Sequence, residues 1–545
     1  MDYASYVQTI LSRLLALLIV LYSVFRSIRL PNRLRGESSK GSKKHNKVPE
    51  PCGALPIIGH LHLLNSQTPY FRTFSAMAQK FGPIFSLRLG CHQTLVVSSR
   101  EVAKECLKTN DKVFASRANT AAGRYMGYNN AVLGLAPYGE YWRELRKIST
   151  LELLSSHRLE KLKHVRESEI FSLVKDLYLL SPITTDDQVV PLTLSHLLDH
   201  LSFNITVRMI AGKRFGGETM RQEDSEAWRL RKAIKDATYL CGVFVVEDAI
   251  PWLSWLWFDL QGHVSFMKRT AKEMDMILDK WMDEHLRKRA AAAANENGGG
   301  SDENDFMDVL ISTFEEDEVF CGHKREIVIK ATALILILTG SGSTAITLTW
   351  ALSLLLNHPS VLMAAREELD TKIGKDRWVQ ESDIKDLNYL QAIVKETLRL
   401  YPPAPLTGIR EAADDCYVSG YHVPKGTRLL INLWKLQRDP EIWSNPDEFE
   451  PERFLTTHAH IDYQSQSQGF EFIPFSFGRR SCPGMTFGLQ VVHLTLARLL
   501  QGFDISTKVG APVDMSEGLG VALPKEKPLD VMLKPRLPLE LYQSL

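Results

Sequence analysis

The segment 475–484 is the part of this 545-residue chain best suited to chemistry, because it surrounds a cysteine with glycines and arginine. Gly478 and Gly484 flank Cys482, and Arg480 stands two residues before it. Glycines let backbone N–H groups approach a sulfur and hydrogen-bond to it, while an arginine can pair with an anionic group. A thiolate held in this way can ligate a metal, and on haem iron it favours O–O bond cleavage. A lone cysteine is more often a small buried hydrophobe, but these neighbours favour a ligand.

Two further sets of polar residues have spacings that suit a supporting role. Glu396 and Arg399 stand three residues apart in a helical pattern, so they share one helix face. Ser343 and Thr344 end a run of small and polar residues that begins at Thr339, in the middle of a long apolar segment. Such a run lets a bulky group lie close to the helix backbone.

These residues must be positioned by a mostly helical fold with small β-sheets, an α+β class. The pattern predicts short strands at 84–89 and 94–98, and helices from there through Leu356. Pro483 can start a further helix that continues through Leu500. The segment 290–305 is alanine-rich, then polar and glycine-rich, and predicts a solvated loop between two helices.

The apolar segment 327–357 has two interpretations. It is long enough to be a membrane-spanning helix. Against this, small and polar residues occupy its centre and Lys330 stands near its start. We therefore expect a long helix buried inside a large globular domain.

The N-terminal 30 residues are expected to form a transmembrane anchor. Residues 6–25 are nearly apolar, which matches the roughly 20 residues that cross a bilayer, and arginines and lysines follow up to Lys47. That basic flank predicts a cytosolic location for the rest of the chain. A cleaved signal peptide would instead need basic residues first and a small-residue cleavage site afterwards. Residues 31–60 then read as a basic, proline-rich hinge, and 61–545 as one globular domain.

Composition narrows the function classes. The formal net charge is +1, which gives no argument for nucleic acid as a partner. The seven cysteines are an odd number, and no two form a CxxC motif. This pattern is typical of free thiols in a reducing compartment.

The residues around Cys482 resemble the cytochrome P450 signature FxxGxRxCxG, matched at Phe475, Gly478, Arg480, Cys482 and Gly484. The resemblance implies the cytochrome P450 fold and haem b, with iron bound by the Cys482 thiolate. Further motifs of the family occur in the expected order, and the residues that match them are Trp142 and Arg146 (WxxxR), Glu396 and Arg399 (ExxR), and Arg453 (PERF).

The resemblance also assigns roles to these residues. Trp142, Arg146 and Arg480 are expected at the haem propionates, and so is Arg410, although an arginine on a surface strand is the alternative there. Glu396, Arg399 and Arg453 are expected to form a buried brace behind the cysteine loop. An exposed Glu396–Arg399 surface pair is the alternative.

Stretches such as SGYHVPKGTRL, KLQRDP and SCPGMTFGLQVVHLTLARLLQGF resemble plant cytochrome P450 family 82. This implies a monooxygenase of the endoplasmic reticulum membrane that oxidises a lipophilic specialised metabolite, of the terpenoid, flavonoid or alkaloid class. The resemblance implies that NADPH supplies the electrons through an NADPH–cytochrome reductase.

One motif departs from the family pattern (A/G)GxDT(T/S). Aligned with it, residues 339–344 place Gly342 where the family has its acid, and Ser343 at the first threonine. The acid and threonine of the family deliver protons to dioxygen, so Ser343 and Thr344 are the candidate catalytic hydroxyls here. The missing acid leaves open a haem-thiolate isomerase or dehydratase that needs no external electrons. A non-enzymatic membrane haem carrier or sensor is the third hypothesis.

Overall fold

The structure is a computed structural model, described here for residues 47–64, 67–181, 192–216, 222, 225–243, 245–251, 259, 262–294, 305–315, 318–463 and 469–544. The predicted anchor and most of the predicted hinge lie outside these residues. Residues 47–60, the end of the hinge, pack on the globular body. The carbonyl of Pro49 accepts a hydrogen bond from the Ser86 N–H, at 2.8 Å, and His60 is fully buried.

Helices make up most of the regular secondary structure of the described chain. They are α1 (Tyr70–Phe81), α2 (Arg100–Lys104), α3 (Ala121–Tyr125), α4 (Glu140–Ile148), α5 (Ser156–Lys161), α6 (Lys163–Leu180), α7 (Leu194–Ala211), α8 (Glu226–Gly242), α9 (Val246–Ala249), α10 (His263–Ala294), α11 (Phe306–Thr313), α12 (Arg325–Asn357), α13 (Pro359–Lys372), α14 (Asn388–Leu400), α15 (Leu433–Leu436), α16 (Met485–Gly502) and α17 (Leu539–Gln543).

The strands form small sheets at the margin of the helical body. They are β1 (Ile84–Leu89), β2 (His92–Val97), β3 (Ser116–Arg117), β4 (Leu192–Thr193), β5 (Val319–Phe320), β6 (His323–Lys324), β7 (Arg410–Glu411), β8 (Cys416–Val418), β9 (Tyr421–Val423), β10 (Arg428–Ile431), β11 (Phe503–Ser506) and β12 (Asp530–Pro535). The largest has the order β1-β2-β10-β7-β3, and a three-stranded sheet has the order β11-β12-β4. The β1–β2 hairpin is antiparallel and pairs Ile84 with Val97.

Helix α12 runs through the centre of the core. It packs against α7, α10, α14 and α16, and its buried residues include Ile337, Ala345 and Trp350. Among the described residues α12 is the one helix long and apolar enough to cross a membrane, but 56% of its most apolar stretch is buried. The Lys330 ammonium is buried and donates to Asp275 and Asp279 of α10, at 2.7 Å each. Its neighbours therefore make α12 a core helix.

The predicted fold class, mostly helical with small sheets, is confirmed. The predicted loop at 290–305 begins too early, because α10 continues to Ala294. Five consecutive alanines, the residues with the highest helix propensity, extend the helix. Residues 295–304 lie outside the described part of the chain.

Candidate active site

The loop before Cys482 contains left-handed backbone conformations that few residue types adopt readily. Ser476 and Gly478 have φ values of +60° and +73°. A Cβ atom on Gly478 would lie 2.5 Å from Oδ1 of Asp111 and 2.7 Å from the carbonyl oxygen of Leu107, so a side chain there would clash. The Cys482 N–H donates to the Phe475 carbonyl, at 2.9 Å, which closes the loop.

Cys482 is exposed and is one of the residues that line a cavity of about 520 Å³, together with Phe475, Gly478 and Arg479. Burial raises the pKa of the Cys482 thiol, whereas a hydrogen bond from the Gly484 N–H and the positive charge of Arg146 lower it. Helix α16 begins at Met485, so its positive end also lies beside the sulfur. These surroundings favour the thiolate form of Cys482. A metal cation bound to the sulfur would stabilise the thiolate further.

Four arginines meet next to this loop. Two are buried, Arg410 at 1% exposed and Arg480 at 8%, and the other two, Arg117 and Arg146, are half-buried. Burial, followed by the positive charges of the other three arginines, lowers the pKa of Arg480 to about 8. Burial lowers the pKa of Arg117 to about 9 and that of Arg410 to about 10. Because guanidinium groups stay protonated in proteins, these shifts mean that four cations are held together at a cost in free energy.

Backbone carbonyls and one aromatic ring hold Arg480 in place. Its Nε donates to the carbonyl of Ala115 at 2.6 Å, and one Nη to that of Ala136 at 2.5 Å. Its guanidinium lies 4.4 Å from the ring centroid of Trp142, which is itself buried. The predicted residues Trp142 and Arg480 are therefore in contact, although they are far apart in sequence.

Arg410 is not on the surface, so the alternative of an exposed strand arginine is wrong. Its guanidinium donates to the Ser476 hydroxyl at 3.2 Å and to the Phe477 carbonyl at 3.4 Å. Its Nε is buried and makes no hydrogen bond to the described residues. This orphaned donor, like the cluster as a whole, is suited to an anionic ligand.

The arginine cluster fits the two propionates of a haem. Within the described part of the chain none of the four arginines forms an ion pair with a carboxylate, although Asp111 is close enough to favour the charged form of Arg410. Buried cations normally have paired anions. We therefore expect Arg117, Arg146, Arg410 and Arg480 to hold the propionates while Cys482 binds the iron.

Arg146 and Arg143 offer a matched test of that assignment, since both are on α4 but only Arg146 faces the cluster. We expect Arg146→Met to accelerate haem transfer to an acceptor apoglobin. The loss of one charge-assisted hydrogen bond of about 1.5–3 kcal/mol corresponds to roughly tenfold to hundredfold. Arg143→Met, which removes an exposed cation, should leave the rate nearly unchanged. Equal effects of the two variants would show that general positive charge on α4, and not this site, retains haem.

Glu396, Arg399 and Arg453 form one buried network, so the alternative of an exposed surface pair is wrong. The Arg399 Nε and one Nη donate to the two carboxylate oxygens of Glu396, at 2.7 and 2.8 Å. The Arg453 Nε donates to the same carboxylate at 3.0 Å. The side chains of Glu396 and Arg399 are wholly buried, and that of Arg453 is 3% exposed.

This network reaches the cysteine loop through Gln437. Arg399 donates to the Gln437 carbonyl at 3.0 Å, and the Gln437 side-chain oxygen accepts from the Ile473 N–H at 3.2 Å. The Ile473 carbonyl in turn accepts from the Ser476 N–H, at 2.9 Å, in the loop itself. The three ionic residues can therefore fix the loop without touching Cys482.

The predicted catalytic hydroxyls point in different directions. Ser343 is exposed, and its hydroxyl donates to the Thr339 carbonyl at 2.8 Å. Thr344 is buried at 4% exposed, on the face of α12 that packs into the core. Of the two, only Ser343 has a hydroxyl open to a ligand or water.

Sequence reasoning missed Arg117 and Gln437. Arg117 donates through Nε to the Gly134 carbonyl at 3.1 Å, which places it in the cluster. Arg117 lies outside the motifs, and Gln437 lies in the stretch KLQRDP, which indicated the family but gave no role to this side chain. Both residues reach the site through backbone groups, Arg117 through the Gly134 carbonyl and Gln437 through the Ile473 N–H. No spacing in the sequence could have identified them.

The comparison with known families agrees with this geometry. The family model described as Cytochrome P450 matches residues 49–531. A zebrafish cytochrome P450 solved with progesterone has a similar fold, with a TM-score of 0.69 over 86% of this chain and 100% of that one, at 24% identity. The chain therefore belongs to the cytochrome P450 family of haem-thiolate monooxygenases.

Curated relatives place the chain close to plant family 82, as the sequence predicted. Dimethylnonatriene synthase of Arabidopsis thaliana is 51% identical, over 94% of this chain and 95% of the relative. Xanthotoxin 5-hydroxylase CYP82C2 of the same plant is 49% identical, over 92% and 95%. Nicotine N-demethylase CYP82E3 of Nicotiana tomentosiformis is 47% identical, over 92% and 96%.

Proposed function

We propose that this protein oxidises a lipophilic plant specialised metabolite, with dioxygen and electrons that an NADPH–cytochrome reductase delivers. The observation that carries the proposal is the cavity-lining Cys482 next to four arginines that lack an anion. The related proteins named for hydroxylation of xanthotoxin and N-demethylation of nicotine support a small, largely apolar substrate. Xanthotoxin, nicotine and a set of terpenoids and flavonoids are therefore the first compounds to test, each with NADPH and reductase.

The chain's own residues prepare the site for this chemistry. The Gly484 N–H and Arg146 favour the thiolate form of Cys482, and the arginine cluster would neutralise the two propionates of a bound haem. Bound haem iron would supply the activation of dioxygen. What remains for the protein is to orient the substrate and to deliver protons.

Ser343 is the residue that we assign to proton delivery. Its hydroxyl hydrogen is engaged with the Thr339 carbonyl, so its lone pairs are free to accept from water. The carboxylate that the family pattern has at position 342 is replaced by glycine. Water held by Ser343 would then be the last proton donor before dioxygen.

Ser343→Ala should divert the reduced oxygen into hydrogen peroxide while NADPH consumption continues, because the water loses its anchor. Ser343→Thr keeps the hydroxyl and should retain coupling, with some loss of rate if the added methyl group crowds the site. NADPH, peroxide and product are measured in one reaction. Unchanged coupling in Ser343→Ala would remove Ser343 from the relay.

An isomerase or dehydratase is the second candidate function, and Gly342 is the observation that favours it. A site that rearranges its substrate without external electrons would have no use for a proton-donating acid. The discriminating observation is simple, since the isomerase converts substrate without NADPH and the monooxygenase does not.

We further propose that residues 1–30 anchor the protein in the endoplasmic reticulum membrane, with the catalytic domain in the cytosol. The apolar run and its basic flank support this orientation. Deletion of residues 1–30 should move the protein wholly or partly into the soluble fraction with haem still bound. Complete loss of haem in the deleted form would mean that this segment belongs to the folded core.

A further inference from the structure

Thr339 places a second hydroxyl on the exposed face of α12, one helical turn before Ser343. Both residues are exposed, whereas the neighbouring Ile337, Ser341 and Thr344 are at most 6% exposed. Residues four apart lie on the same helix face. The two hydroxyls therefore face the same open space.

Contacts at each end locate that space. A Cβ atom on Gly134 would lie 3.2 Å from the end of the Ile335 side chain, and the Gly134 carbonyl binds Arg117 of the arginine cluster. On the adjoining face, a Cβ atom on Gly340 would lie 3.2 Å from Thr206 of α7 and 3.8 Å from the ring of Phe487, in the first turn of the helix that follows Cys482. This part of α12 therefore lies close to both the arginine cluster and the cysteine helix.

The position beside Gly342 is open. Apart from its chain neighbours and the backbone of its own helix, no described atom lies within 4 Å of a Cβ atom built on Gly342. Relative to the pattern (A/G)GxDT(T/S), the chain lacks the carboxylate at 342 and gains a hydroxyl at 339. The two departures are three residues apart on one surface of α12.

The two hydroxyls are arranged to share a water molecule. The Thr339 hydroxyl donates to the Ile335 carbonyl at 2.7 Å, as the Ser343 hydroxyl does to that of Thr339. Both oxygens can therefore accept a hydrogen bond from the space in front of them. Residues four apart on a helix have Cβ atoms about 5–6 Å apart, too far for a direct bond. Two hydrogen bonds of about 2.8 Å to one water span a similar distance.

We propose that Thr339 and Ser343 together hold a water in the space beside Gly342, and that this water takes the place of the carboxylate. The inference rests on the proposed monooxygenase function and deepens it. In the resting site the water gives one hydrogen to Thr339 and one to Ser343. When dioxygen is bound, the water keeps its hydrogen bond to Thr339, turns the other hydrogen from Ser343 toward dioxygen and passes that proton on. Solvent returns a proton to the water, so nothing is consumed beyond the protons of the reaction. Thr339 is a positioning residue, because it acts through the water.

The test compares Thr339→Val, which has the same shape without the hydroxyl, with Thr339→Ser, which keeps it. Thr349→Val is the matched control, since Thr349 makes the same backbone hydrogen bond, to Ala345 at 2.8 Å, on the buried part of α12. The first readout needs no substrate and no turnover. It is the infrared C–O stretching band of the reduced carbon monoxide complex in light and heavy water.

Wild type, Thr339→Ser and Thr349→Val should show a band that shifts in heavy water, because the ordered water hydrogen-bonds to the bound gas. Thr339→Val should lose the shift. With reductase and NADPH alone, Thr339→Val should also move peroxide formation toward one peroxide per NADPH. An unchanged shift and an unchanged peroxide ratio in Thr339→Val would overturn the inference.

The Gly342→Asp variant provides a second, independent experiment. A carboxylate there should displace the water and make the threonine dispensable, so Thr339→Val should no longer raise peroxide in the Gly342→Asp background. An equal rise in both backgrounds would contradict the exchange of carboxylate for water. If wild type itself forms no thiolate-type carbon monoxide complex, the proposed function fails, which is distinguishable from failure of this inference alone.

Discussion

Arg399→Ala is expected to yield a protein that does not retain haem. Glu396 would keep its buried charge but lose a partner that donates two hydrogen bonds to its carboxylate. Breaking a buried ion pair in this way costs about 3–5 kcal/mol, a large share of a total stability of about 5–15 kcal/mol. The link through Gln437 to the cysteine loop would be lost at the same time. The ratio of haem to protein and the thermal unfolding midpoint measure the two effects.

Arg377→Ala is the matched control for this change. Arg377 also donates two hydrogen bonds to one carboxylate, Asp383, at 2.6 and 3.0 Å, but its side chain is 47% exposed. Exposed pairs contribute only about 0–1 kcal/mol, so this variant should keep its haem and nearly all its stability. A haem-loaded Arg399→Ala variant as stable as Arg377→Ala would show that the buried network is not a brace.

Cys482→Ala is expected to abolish the red-shifted Soret band of the reduced carbon monoxide complex, which depends on a thiolate ligand. Haem bound without that ligand would also lose the electron donation that favours O–O cleavage, so oxidation of substrate should stop. Cys106→Ala is the control, because Cys106 is another free cysteine, fully buried, whose pKa burial raises beyond its usual range. The band should survive there. Its persistence in Cys482→Ala would assign the iron to another residue.

The sequence predicted those parts of the site that are local in the chain. The i, i+3 spacing of Glu396 and Arg399 put both on one face of α14, and the structure places them there. The apolar segment with small residues at its centre predicted the buried helix α12. Spacing and periodicity predict which residues share a helix face and which segments are apolar, because these properties depend only on residues close together in the chain.

Sequence patterns could not identify residues that come together only when the chain folds. Arg117 joins Arg480 because a strand and a loop bring them together, and Gln437 joins the brace to Ile473 across 36 residues. The opposite exposure of Ser343 and Thr344 depends on which neighbours cover α12. Resemblance to the family supplied Arg453 with its place in a buried brace and Arg410 with its expected place at the propionates. The burial of Arg410 and its contacts with Ser476 and Phe477 required the structure.

The most direct test of the proposed function uses membranes that contain the full chain and a reductase, a panel of lipophilic metabolites, and heavy-isotope dioxygen. For a compound that is hydroxylated, we predict NADPH-dependent turnover with one atom of the labelled oxygen in the product. Conversion that continues without NADPH and leaves the product unlabelled would contradict the monooxygenase account and favour the isomerase.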